Sequence, residues 1–335
     1  MTAIDVSGLT KAYDGFVAND DLTFSVETGE VFGYLGPNGA GKTTTIRTLL
    51  GFQSPTAGSA TLLGHDVCDP RALREAKARI GYLPGELAFD STATGEEFLD
   101  YQAALKGDSR REELLELFTP PLEKRIREYS TGNKQMLGIV QAFMHDPDLL
   151  IMDEPTSGLD PLKQAAFNSF LREERDAGKT VFFSSHILGE VRRICDRVGV
   201  IREGRLVTVE DVDTLLERGG KRVHLHTAEP LDEADLALDG VVAFERVGRE
   251  AQFTFAGDYT ELVTALSEHT IVDIDVEEPP IEEVFMHFYG ETETETETET
   301  DAATEPTVDD RLASDDERVS NDDQQADDGE EHADV

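Results

Sequence analysis

Residues Gly36-Pro37-Asn38-Gly39-Ala40-Gly41-Lys42-Thr43 spell G-x-x-x-x-G-K-[ST], and no other stretch limits the fold as tightly. The loop stands between an apolar run, Val31 to Leu35, and a segment of helical character, Thr44 to Leu50. In that strand-loop-helix setting, backbone N–H groups and the positive end of the helix converge on the β- and γ-phosphates of a nucleotide. Glycine lets main chain approach phosphate oxygen with no Cβ in the way. Lys42 is then suited to neutralise β/γ-phosphate charge, and the Thr43 hydroxyl to take one coordination position on Mg²⁺. A glycine-rich turn that merely begins a helix is the simpler alternative, and a metal-site partner later in the chain argues against it.

That partner is Leu149-Leu150-Ile151-Met152-Asp153-Glu154. A buried apolar strand ending in two acids places carboxylates at the carboxyl edge of a sheet, where open α/β folds bind ligands. Asp153 is suited to Mg²⁺, and Glu154 to polarising an attacking water as general base. Pro161 stands at the favoured first turn of the helix that follows Ser157-Gly158-Leu159-Asp160. A further strand, Thr180 to Phe183, ends in Ser184-Ser185-His186. A lone histidine after a strand is more often structural, but one on the same edge as Asp153 and Glu154 could reach a γ-phosphate.

The remaining punctuation organises the chain around this edge. Short β-like runs at Ala3 to Val6 and Leu22 to Val26 precede the loop, with Tyr13 in the turn between them, able to stack on adenine or to cover a small sheet. Residues 52–64 read as a hairpin, and Arg71 to Arg79 as a helix. Strand Ile80 to Leu83 runs into Pro84-Gly85-Glu86. From about Thr94 to Arg127 the pattern is helical, with Thr94-Gly95-Glu96-Glu97 as a start and Gly107 and Pro120-Pro121 as breaks. Ser130 and Gly132 open an apolar helix (Met136 to Met144); alone, that is an ordinary N-cap. Residues 198–209 read as a hairpin. From Arg222 the order is strand (Val223 to Thr227), helix (Asp232 to Leu238), strands (Val241 to Val247, Ala251 to Phe255), helix (Tyr259 to Glu268), strand (Ile271 to Val276) and helix (Pro280 to Tyr289), a small α+β domain.

Composition matters chiefly through charge. The chain carries a formal net charge of -40, which argues against nucleic acid as the main partner, since phosphate backbones are bound by clustered Lys and Arg. Residues 291–335 hold 19 acidic and 2 basic side chains, too few apolar groups to fold, and leave 51 acidic and 28 basic on residues 1–290. A body this acidic repels itself in dilute salt, and the repulsion fades as the screening length falls to about 3 Å near 1 M. The balance points to a cytoplasm of high ionic strength, as in a halophile. Cys68 and Cys195 form no disulfide or metal framework, which fits a reducing cytosol. Met1 to Lys11 does not read as a signal peptide, and no stretch approaches 18 apolar residues, so a membrane-spanning part would come from other chains.

Together these motifs, in this order over nearly all of residues 2–210, resemble the ATP-binding subunit of an ABC transporter. The resemblance implies an ABC-type P-loop NTPase fold in residues 1–215 with a helical subdomain at about 86–145, a small α+β domain in 216–290, and a disordered acidic tail in 291–335. It makes Gly36 to Thr43 the Walker A loop, continued by Thr44, and Asp153 the Walker B acid. Glu154 becomes the catalytic glutamate, Ser157 to Asp160 the D-loop, His186 the switch histidine and Tyr13 the adenine-stacking aromatic. The family's LSGGQ signature stands here as Tyr129-Ser130-Thr131-Gly132-Asn133, keeping the Ser and the second Gly. Where the family usually has a loop glutamine this chain has Gly85 and then Glu86, an acid that could substitute beside Mg²⁺. The implied assembly is a head-to-tail homodimer, or a pair with a related ATPase subunit, holding two ATP molecules in its seam. It would lie at the cytoplasmic face of the membrane, bound to a separate permease. Ile281 to Met286 resembles the carboxyl-terminal segment of exporter-type members. Soluble relatives in translation or chromosome maintenance fit less well, because only one phosphate loop occurs and no coiled coil separates Lys42 from Asp153. A regulator that binds ATP without turnover is disfavoured by the presence of Glu154.

Overall fold

The fold is a computed structural model that describes residues 1–236 and 238–277, with backbone alone at 216–219. The helix expected at Pro280 to Tyr289 and the acidic segment 291–335 lie outside the described residues. In chain order the strands are β1 (Thr2–Tyr13), β2 (Phe16–Glu27), β3 (Val31–Leu35), β4 (Ala57–Leu62), β5 (His65–Asp66), β6 (Ile80–Leu83), β7 (Leu149–Asp153), β8 (Thr180–Ser185), β9 (Arg197–Arg202), β10 (Arg205–Asp211), β11 (Lys221–Thr227), β12 (Val241–Val247), β13 (Glu250–Phe255) and β14 (Ile271–Glu277). The helices are α1 (Lys42–Leu49), α2 (Pro70–Lys77), α3 (Gly95–Lys106), α4 (Arg111–Leu117), α5 (Thr131–Phe143), α6 (Pro161–Asp176), α7 (Leu188–Ile194), α8 (Val212–Gly219), α9 (Glu233–Leu236) and α10 (Tyr259–Leu266).

A six-stranded sheet, order β10-β9-β3-β8-β7-β6, forms the centre. Its strands from β9 to β6 run parallel, with β10 antiparallel at one edge. β3, β7 and β8 are buried at every residue, as parallel strands covered on both faces must be. Alternation sorts their side chains into two cores. Val31, Leu35, Leu150, Met152, Val181 and Phe183 face a core that includes Leu137 and Phe143 of α5 and Phe167 and Phe170 of α6. Phe32, Tyr34, Ile151 and Phe182 face the other, with Ile4 and Val6 of β1 and Phe24 of β2. That second core is tied by aromatic contacts with ring centroids 5.9 Å apart for Phe24–Phe32 and 5.4 Å for Tyr34–Phe182.

The covering layer is an antiparallel sheet, order β2-β1-β4-β5. Here the expected hairpin over 52–64 is corrected. Residues Ala57–Leu62 do make strand β4, turning at Leu63-Gly64 into β5, but their long partner is β1, with Val6 opposite Ala60. Pairing to a distant strand satisfies more backbone groups than a two-residue return can. A third sheet, order β12-β13-β11-β14, carries its own core, in which Val223, Leu225, Phe253 and Phe255 meet Leu262 and Leu266 of α10.

Between β6 and β7 the chain forms α3, α4 and α5. Thr94 Oγ1 accepts Glu97 N–H at 3.2 Å while Glu97 Oε2 accepts Thr94 N–H at 2.9 Å, the reciprocal cap expected there. α3 stops at Gly107 and α4 at Phe118, just ahead of Pro120. Arg110, ahead of α4, grips α6: its guanidinium donates to both oxygens of Glu174 at 2.6 and 2.7 Å and reaches Glu113 as well. Glu174 is only 4 % exposed. Arg110→Ala leaves that carboxylate buried without its cation, so stability falls by about 3 kcal/mol or more. Urea unfolding measures this: an unchanged midpoint would show that water compensates the charge.

Candidate functional site

β3, β7 and β8 end at one edge of the central sheet, with Leu35 opposite Ser185 and Asp153 opposite Ser184. The phosphate-loop sequence leaves β3 there. A Cβ on Gly36 would stand 2.4 Å from the Ile201 carbonyl oxygen, and one on Gly41, whose φ is 107°, would stand 2.6 Å from that of Ala18. Neither position accepts a side chain, so both glycines are required by contact and Gly41 by φ as well. Asn19, buried on β2, donates from Nδ2 to Gly41 O at 3.2 Å and to Thr45 Oγ1 at 3.1 Å, fixing the start of α1.

The loop frames a cavity of about 630 Å³. Its walls include Pro37, Asn38, Gly39, Ala40, Gly41, Lys42, Thr43 and Thr44, faced by Glu86, Asp153, Glu154, Ser157 and His186. A cavity of about 310 Å³, half the size, lies on the third sheet beside His224, His226 and Asp275. Lys42 Nζ is folded back onto Gly36 O at 2.6 Å and Pro37 O at 3.2 Å, and stands 3.4 Å from Glu154 Oε1. Thr43 Oγ1 donates to Asp153 Oδ2 at 2.7 Å, while Ser184 donates its hydroxyl to Asp153 Oδ1. His186 Nδ1 stands 2.7 Å from Glu154 Oε2. Glu154 has φ 52°, a left-handed conformation that residues with a Cβ rarely adopt, and its N–H is held by Ser184 O at 3.2 Å. Non-glycine residues persist in that region where the surroundings over-determine them, commonly at functional sites.

A hard dication takes oxygen ligands and, in the case of Mg²⁺, few of them from protein. Thr43 Oγ1 and Asp153 Oδ2 form such a pair, already adjacent and partly buried, so the residues present fit Mg²⁺ bound with a nucleotide.

Not every expected residue enters this cavity. Gly36 is at its base, offering its carbonyl to Lys42. Tyr13 lies beside it at the end of β1, opposite Phe16, and it is Phe16 that lines the wall. The Tyr13 hydroxyl donates to Gln53 Oε1 at 2.5 Å, and Gln53 Nε2 donates to Thr44 O at 3.0 Å, so the ring is anchored to α1. Ser130 caps α5, accepting Asn133 N–H at 3.2 Å, and is exposed away from the lining residues. Asp160 caps α6 by accepting Lys163 N–H at 3.0 Å, a bond that holds its carboxyl below the usual range. Gly132 abuts the Gly158 carbonyl, where a Cβ would stand 2.9 Å away. Glu86 lines the cavity, but Gly85 is the neighbour of Asp153, with its Cβ direction 3.3 Å from Oδ2. Sequence reasoning passed over Phe16, Arg47, Tyr82 and Ser184, whereas Ser157 lines the cavity as the first residue of the expected D-loop. Only Ser184 had a usable signal, as a strand-end hydroxyl beside the acid-bearing strand.

A parallel sheet whose edge unites a glycine-rich phosphate loop, a helix amino terminus and an acid pair defines a P-loop nucleoside triphosphatase. Comparison with known proteins narrows the class. The family model described as ABC transporter matches residues 19–157. The Nod factor export ATP-binding protein I of Rhizobium johnstonii is 33% identical over 86% of this chain and 95% of its own length. The bacitracin transport ATP-binding protein BcrA of Bacillus licheniformis is 36% identical over 68% of this chain and 76% of its own. Among solved structures, an ATP-binding subunit of an ABC transporter is 32% identical with a TM-score of 0.58, covering 64% of this chain and 92% of that one. The chain belongs to the ATP-binding subunits of ABC transporters, and is an ATP-binding ATP hydrolase. No helix among the described residues is long and apolar enough to cross a membrane.

Proposed function

We propose that this chain supplies ATP-derived energy for export through a separate membrane permease, working as a homodimer or paired with a related ATPase subunit at the cytoplasmic face. The observation that carries this reading is the position of Ser130 and Gly132. Both flank a helix amino terminus, yet neither lines the chain's own phosphate cavity, so they are free to meet the γ-phosphate held by another subunit. A dimeric ATP-binding cassette bound to ADP and Pi, which matches this chain in fold with a TM-score of 0.58, gives such an assembly a precedent. Export is supported by the names of relatives that act in Nod factor export and linearmycin resistance.

In this reading Gly36 to Thr44 cradles the phosphates and Lys42 neutralises their charge. Thr43 and Asp153 would hold Mg²⁺, which would offset charge on the phosphate oxygens, and Glu86 stands by as a further acid. Glu154 takes a proton from the attacking water, and His186 orients that carboxylate. Tyr13 stacks on adenine with Phe16 at its side, and Asp160 ends the D-loop that enters the seam. A γ-phosphate clamped between two subunits favours the closed dimer only while attached, so hydrolysis shifts the population to the open form. The division into residues 1–215, 216–290 and 291–335 belongs to the same proposal. Affinity purification of the full chain from membranes tests it: a polytopic membrane protein is expected in matching amount, and recovery of this chain with no integral membrane protein would overturn the coupling.

We also infer a halophilic setting from the net -40. Moving from 0.1 M to 2 M KCl then raises Tm by roughly 10 °C, as self-repulsion is screened. Equal melting temperatures in the two buffers would remove the inference.

A further inference from the structure

Glu190 has no part in the roles assigned above, yet it is among the most enclosed carboxylates of the described residues. It sits on α7, just beyond β8 and His186, and is 6 % exposed. Among the described residues no ion pair involves it. Its partners are two hydroxyls: Thr156 donates to Oε1, and Ser185 donates to Oε2 at 2.7 Å. Ser185 Oγ in turn accepts Ile187 N–H at 3.0 Å. Enclosing a carboxylate without a cation is costly, and an apolar residue would serve packing better. What the carboxylate does is bridge two strand ends.

Those two ends bear the reacting pair. Thr156 stands two residues after Glu154 on the chain leaving β7, and Ser185 one residue before His186 at the end of β8. Glu154 and His186 touch at 2.7 Å, between the two chain segments that Glu190 joins. Glu154 also holds a left-handed backbone, which needs restraint on both sides. Ser184 supplies one restraint and the Thr156–Glu190 bond the other. A second strap enters from α5, where buried Gln135 donates from Nε2 to Pro155 O at 2.6 Å.

We propose that Glu190 is a positioning residue: by holding Thr156 and Ser185 together it sets His186 against Glu154 and fixes where the segment Ser157 to Asp160 leaves the sheet. The inference rests on the roles given to Glu154 and His186 under the proposed function. It concerns geometry at the hydrolytic end of the site, leaving the phosphate loop untouched.

Steady-state hydrolysis by the full chain, with binding of a fluorescent ATP analogue measured in parallel, tests it. Glu190→Ala lowers kcat by about 10- to 100-fold with KM for ATP changed less than about twofold, because misplacement harms the chemical step and spares nucleotide binding. Glu190→Gln, which can accept one hydroxyl and donate to the other, keeps roughly a third or more of the rate, whereas Glu190→Asp, a methylene shorter, falls with the alanine variant. Wild-type kcat in Glu190→Ala overturns the proposal. So does an equal fall in nucleotide affinity, which marks a merely structural role. Should Glu190→Ala fail to fold, Thr156→Val and Ser185→Ala each cut one arm, and wild-type rates in both overturn it equally. Glu154→Gln in the same series keeps the two questions apart: if it still turns over, the assignment beneath fails, whatever Glu190 does.

Discussion

Replacing Glu154 by Gln abolishes multiple turnover, with kcat falling by about 10²- to 10⁴-fold while ATP binding is retained. The change is nearly isosteric, so the contact with His186 at 2.7 Å and the surrounding strand ends can persist. What disappears is the capacity to accept a proton from water. In the proposed dimer, binding should even tighten, since an intact γ-phosphate would continue to bridge the subunits. Size-exclusion chromatography with ATP and Mg²⁺ is then expected to show a stable dimer for Glu154→Gln and a transient one for the parent chain. Hydrolysis at the parental rate in the purified variant would remove Glu154 as the base.

Lys42→Ala acts at the other end of the chemistry, on binding itself. Lys42 is only 6 % exposed, and its ammonium already sits among acceptors: Gly36 O, Pro37 O and Glu154 Oε1. Phosphate oxygens entering the cavity exchange for these, at little cost in side-chain ordering. A hydrogen bond to a charged group contributes about 1.5–3 kcal/mol, so Kd for ATP weakens roughly 10- to 100-fold. Titration calorimetry reads this directly. A Kd within twofold of the parent would show that the backbone nest and helix terminus carry the affinity unaided.

The fold was legible where local chemistry dictates it. β3, β7 and β8 read as uninterrupted apolar runs because both faces of a parallel sheet are covered, and the site followed because their ends carry Gly36 to Thr43, Asp153 and His186. Thr94 and Glu97 announced α3 through a cap that involves four consecutive residues. What stayed hidden depends on distant pairing. β4 joins β1 across more than forty positions, and nothing within residues 52–64 encodes that. α7 and α8 were overlooked: each is short and buries an apolar face supplied by tertiary packing, with Val191 and Ile194 in the first and Val212 and Leu215 in the second. Ser184 and Phe16 gained their places through strand register and a hairpin tip. At Glu86 the sequence suggested a metal neighbour; the fold places Glu86 in the wall of the cavity and sets Gly85 directly against Asp153.

The absent side chain at Gly41 has a mechanical result. Because a Cβ on Gly41 would stand 2.6 Å from both Ala18 O and Asn19 Nδ2, the hairpin bearing Tyr13 and Phe16 and the turn of the phosphate loop pack together with no side chain to cushion them. If a purine seats beside Tyr13 as proposed, its position would then bear on the pitch of the loop amides, and a nucleotide lacking its base would meet a looser grip than its phosphates alone account for.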